Sequence, residues 1–155
     1  SVVLFQGKDY PIGANMGFNR AVIDKCGMFN TSLGRNKKNL MAGEEKDMFG
    51  RVKNAGNKIY YFPNVMVHHM IPPERTTRSY VARMGTGVGA SERLRCQCIG
   101  NSCLRKRCFS ELLKWGATFA LFVLYLIRLR PACGKMLIVF RYNVSLSLLG
   151  FRKID

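Results

Sequence analysis

Hydrophobic and polar positions divide the chain into two differently patterned parts. In the first, apolar positions recur at helical spacing in two short stretches. From Asn19 to Phe29, Ala21, Val22 and Cys26 share a face, with Asn19 placed as an N-cap and Gly27 as a stop. From Gly43 to Ala55, Met48, Phe49 and Val52 form the apolar face, acids fill the first turn, and Gly56 follows the last turn. Two β-rich runs come next, Lys58-Ile59-Tyr60-Tyr61-Phe62, ended by Pro63, and Val65-Met66-Val67-His68. The spacing thus predicts a mixed α/β segment to about residue 73. A basic helical or loop-like stretch follows to about 111, and apolar runs dominate from there.

Those apolar runs point to a membrane. Leu112 to Leu129 is interrupted only by Lys114, Thr118 and Arg128, with Trp115 and Tyr125 near its ends. As a helix it reaches about 27 Å, enough for a hydrocarbon core of roughly 30 Å when the end charges snorkel. Met136 to Leu149 is shorter and carries Arg141 and Asn143, so it closes a hairpin or lies in the interface. A buried helix of a soluble core has the same pattern, but the charged flanks and terminal aromatics favour the membrane. Arg105-Lys106-Arg107 precedes the first run, and Arg128, Arg130 and Lys135 follow it, so flanking charge does not set the topology.

Charge narrows the partners. With 25 Lys+Arg against 9 Asp+Glu, the formal charge of +16 calls for a polyanion: nucleic acid, anionic lipid or a phosphorylated substrate. The apolar runs favour a membrane over nucleic acid as the partner. The first residues, Ser-Val-Val-Leu-Phe-Gln, carry no initiator Met and no signal pattern, and read as the interior of a longer chain. The six cysteines lack the spacing of a secreted disulfide framework, which fits reduced thiols on the cytosolic side. Cys96, Cys98, Cys103 and Cys108 lie among Arg93, Arg95, Arg105, Lys106 and Arg107. A zinc knuckle and reduced or lipid-modified juxtamembrane thiols both fit that placement, although Cys-x-Cys is tight for the common knuckle.

Gly43-Glu44-Glu45-Lys46-Asp47 is a concentrated acidic cluster in a strongly basic chain. Such a cluster binds a cation, holds a basic side chain, abstracts a proton, or is simply a solvated helix start. It belongs to an ordered series: Gly13-Ala14-Asn15-Met16-Gly17-Phe18-Asn19-Arg20, Gly27-Met28-Phe29-Asn30, the acidic cluster, Gly56-Asn57-Lys58-Ile59-Tyr60-Tyr61-Phe62-Pro63 and Val67-His68-His69. The series resembles the second half of a family 2 glycosyltransferase catalytic domain over roughly residues 10 to 90.

The resemblance implies the C-terminal half of a GT-A (Rossmann-like) α/β domain over 1–92. A basic cysteine-containing juxtamembrane segment at 93–111 and transmembrane or interfacial helices at 112–155 would follow it. It implies inverting transfer of a sugar from a nucleotide-diphosphate donor to a glycan or lipid-linked acceptor hydroxyl, as in polysaccharide biosynthesis, at the cytoplasmic face of the inner or plasma membrane. Glu45 would be the general base, with Glu44 and Asp47 in support; the family more often has Asp at the second acidic position. Gly13, Ala14 and Asn15 would line the pocket, Arg75 and Arg78 would steady phosphates, and His69 would help bind the diphosphate or a metal. A divalent metal, Mg or Mn, is implied with its main ligands outside this chain, because no Asp-x-Asp is present. The alternative is a non-enzymatic basic module that binds nucleic acid or anionic lipid through residues 75 to 107.

Overall fold

The computed structural model describes residues 1–6, 10–35 and 40–152. Their elements are β1 (Val3–Leu4), α1 (Arg20–Cys26), α2 (Glu44–Asn54), β2 (Tyr60–Tyr61), α3 (Arg78–Ile99), α4 (Asn101–Ile127) and α5 (Pro131–Leu149), with short 3-10 turns at Thr31–Leu33 and Pro73–Thr76. The chain forms two compact units: Ser1–Ser32 with Gly43–Ile71, and Leu33–Ala42 with Pro72–Asp155.

The expected α/β Rossmann-like architecture is not what forms. The chain is 64% helix and 3% strand, with one two-stranded sheet among the described residues, so it is mostly helical. That sheet is an antiparallel ladder of Val3 with Tyr61 and Leu4 with Tyr60. The β-rich sequence at 58–62 is real, but only its centre finds a partner strand. Val65–His68 finds none and remains an exposed coil. Residues with strand propensity become a strand only where a neighbour completes the hydrogen-bond ladder. Helical spacing needs no such distant partner, and both helices expected in this part form.

The first unit is built on α2. Met48, Phe49, Val52 and Ile59 form its buried centre, and Phe5, Met16, Phe18, Val22, Ile23, Cys26 and Phe29 pack around them. Phe18 stacks on Phe49 with ring centroids 4.9 Å apart. The seven-residue α1 is too short to hold itself in water and depends on its ends. Asn19 Oδ1 accepts the Ala21 amide at 2.9 Å. At the other end Gly27 turns the chain at φ 77°. The Arg51 guanidinium, reaching across from α2, donates to the carbonyls of Cys26, Gly27 and Met28. These lie at the end of α1, where helical carbonyls lack intrahelical partners.

The second unit is helical. α3 and α5 meet along a glycine seam: a Cβ at Gly85 would stand 2.7 Å from the Phe140 carbonyl oxygen, and one at Gly89 would collide with that of Val144. Small residues one turn apart let two backbones approach this closely. On another face of α3, Gly87 lies against the Leu40 backbone. Ser91 Oγ there donates to the Gly87 carbonyl at 2.9 Å and accepts the Ala42 amide at 3.0 Å. α4 lies along α5. Gly134 sits against the Phe122 ring, and Trp115 Nε1 donates to Ser145 Oγ at 3.0 Å. Trp115, which by sequence suits a headgroup position, is thus turned into the helix bundle.

α4 and α5 are both long and apolar enough to cross a membrane. α4 begins at Asn101, so the basic stretch and the longer apolar run share one helix. Leu112, Leu113, Phe119, Leu121, Val123 and Ile127 are exposed along it.

Candidate functional site

In the first unit the acidic cluster forms the first turn of α2, as its sequence predicts, and its three carboxylates have different surroundings. Glu44 folds back so that Oε2 accepts the Gly43 amide at 2.9 Å, which caps an otherwise uncapped helix start. Asp47 Oδ2 accepts from Arg51 Nε at 3.0 Å, which aims the guanidinium at the end of α1. Asp47 therefore has a clear structural duty. Glu45 has neither attachment: among the described residues its carboxylate makes no hydrogen bond or ion pair. It is half-buried and lies directly over Gly13, where a Cβ would collide with Oε1.

The Gly13-Ala14-Asn15 loop is a tight turn closed by the Asn15 amide donating to the Ile12 carbonyl at 3.0 Å. The Asn15 side chain points elsewhere, with Nδ2 donating to the Val65 carbonyl at 2.8 Å. Asn15 therefore ties the turn to the segment leading into His68 and His69, while Ala14 is exposed. The fold thus brings together two stretches expected to share a site: the turn at 13–15 and the acid at 45.

His69 is exposed in coil, and no group of three His, Cys, Asp or Glu side chains able to hold a metal exists among the described residues. These residues do not by themselves fit the implied Mg or Mn site. Arg75 and Arg78 belong to the second unit, exposed in the 3-10 turn and the first residue of α3.

The second unit holds a charge cluster not anticipated from sequence. Glu92 and Glu111 are buried, at 5% and 4% exposure. Arg95 lies 3.2 Å and Arg107 3.0 Å from Glu92; Arg107 also reaches Glu111 at 2.7 Å, and Arg141 of α5 reaches it at 2.9 Å. Burial opposes the charge on Arg95, but its hydrogen bond and attraction to Glu92 outweigh this and raise its pKa. Only the Glu92/Arg95 and Arg107/Glu111 spacings, three and four apart on one helix, were visible in the sequence as a signal. The link to Arg141, 30 positions from Glu111, has no local signature.

Comparison with known proteins gives no match: no protein-family model, no curated protein and no solved structure is significantly similar to this chain.

Proposed function

We propose that this chain carries the acceptor-activating part of a membrane-bound, inverting glycosyltransferase that uses a nucleotide-diphosphate sugar. The observation that carries the reading is Glu45, a half-buried carboxylate with no partner among the described residues, held over the turn at Gly13. A general base needs an acceptor oxygen that is not already committed, and a fixed position beside the reacting hydroxyl. Glu44 and Asp47 are engaged by Gly43 and Arg51, so Glu45 is the member of the cluster left for proton transfer.

In the proposed step the acceptor hydroxyl gives its proton to the Glu45 carboxylate as its oxygen attacks the anomeric carbon. The bond to the nucleoside diphosphate breaks on the opposite face, so configuration inverts and the diphosphate leaves with the bonding pair. The turn at Gly13 offers backbone close to the carboxylate, where a side chain would block it. No step is assigned to a metal. Two apolar helices support placement at a membrane, and six free cysteines suit its cytoplasmic side. The basic-module alternative is weakened because Arg93, Arg95 and Arg107 are committed to the Leu148 carbonyl and to Glu92 and Glu111.

The test is transfer from labelled nucleotide sugars in membranes containing the full-length protein, wild type against Glu45→Gln. The expected loss of turnover is about 100- to 10,000-fold, the usual contribution of a positioned base. Turnover within a few-fold of wild type would overturn the assignment of Glu45.

A further inference from the structure

The corner between α3 and α4 places two thiols against each other. Gly100, at φ 129°, turns the chain between the helices. Across that turn Cys103 Sγ lies 2.9 Å from Cys96 Sγ, seven positions away. Cys96 is fully buried, while Cys103 is partly open to solvent. Arg95 Nη2 approaches Cys96 Sγ at 3.7 Å. Burial, then the hydrogen bond with Cys103, pushes the Cys96 thiol up to about 11. Cys98, two residues from Cys96, is exposed.

We infer that Cys96 and Cys103 form an oxidation site, where a peroxide-class oxidant joins them in a disulfide that clips the α3–α4 corner. A direct sulfur–sulfur bond needs an approach of only about 0.9 Å, to the usual length near 2.05 Å. A shared zinc ion would instead hold two thiolates roughly 3.7 Å apart, given bonds of about 2.3 Å in tetrahedral geometry. The pair is therefore nearer the geometry of a bond than that of a bridged ion. The accessible Cys103 reacts first. Its sulfur loses its proton and attacks a peroxide oxygen; the oxygen–oxygen bond breaks, and the leaving oxygen takes up the proton as water or alcohol. The resulting sulfenic acid is attacked by Cys96 sulfur, which gives up its proton as the sulfur–oxygen bond breaks and water leaves. Both thiols are oxidised by one peroxide, and a dithiol reductant reverses the reaction. Gly100 turns the chain at this corner with open space beside its Cβ position, so no packed side chain of the described residues stands against the turn there.

Trypsin reports the outcome directly, because cleavage after Arg95 and Arg105 releases Cys96, Cys98 and Cys103 in one peptide. The full chain in detergent is treated with hydrogen peroxide, denatured, alkylated and digested, and the peptide is fragmented in a mass spectrometer. The expected peptide lacks a pair of hydrogens and carries the alkyl label on Cys98 alone; dithiothreitol before alkylation restores labelling of Cys96 and Cys103. Cys98→Ser should keep the mass loss and Cys103→Ser should abolish it. A label remaining on Cys96, a bond involving Cys98, or oxidation of Cys103 only to sulfinic acid would each overturn the inference.

Discussion

At the scale of single residues, Gly13, Arg51 and Cys96 have the most specific duties. Gly13→Ala would put a methyl into Glu45, so under the proposed role of Glu45 its effect would fall on function more than on stability. Glycosyl transfer should fall steeply while the thermal midpoint moves little, and the two are measured on one preparation. Arg51→Ala should act oppositely. It strips the carbonyls at the end of α1 and leaves Asp47 alone, at a cost of about 1–3 kcal/mol read from denaturant unfolding. Cys96 makes stability depend on alkaline pH. An unfolded thiol ionises near 9.0 and the folded one near about 11, so the folded state favours the protonated form. The associated stability is intact below about 9 and fades as pH rises toward about 11. A Cys96→Ala variant should show a shallower decline in unfolding midpoint across that window. Of these residues Gly13 and the acids of α2 were legible in the sequence, since turn glycines and acids at a helix start have local signatures. The commitment of Asp47 to Arg51 and the freedom of Glu45 were not, because they depend on where the end of α1 lies in space.

Among the elements, helices were far easier to read than strands. α1 and α2 carry their own signals at Asn19, Gly27 and Gly56, whereas the run Val65–His68 has strand composition and no partner. That difference explains why an α/β domain was expected and a mostly helical chain was found: a strand is a statement about its neighbour. The glycines of α3 were equally silent. Gly85 and Gly89 have low intrinsic helix propensity, yet they are where α5 approaches. Gly89→Val should cost about 1–3 kcal/mol by forcing α3 and α5 apart. Gly116→Ala, in open space on α4, should stabilise by about 0.5–1 kcal/mol. Unfolding both variants in mixed micelles separates crowding at the seam from helix propensity.

For the molecule as a whole, the buried charges decide how the helical unit holds together. Glu111 serves Arg107 on its own helix and Arg141 on α5, so Glu111→Ala leaves two guanidinium groups without their shared carboxylate. Breaking a buried pair from one side costs about 3–5 kcal/mol, and unfolding of detergent-solubilised protein should show a loss of that size. The glycine seam also has a bearing on how the chain comes off the ribosome. Arg93 of α3 bonds the Leu148 carbonyl 55 positions later, while α4 and α5 are sequence neighbours. Local helical hairpins close quickly and distant contacts wait for their loop to be spanned. During synthesis, α3 stands with its groove empty until α5 has been made. A premature stop shortly before Phe140 would therefore orphan a helix completed long before, and leave its glycine face open to any other small-residue helix it met.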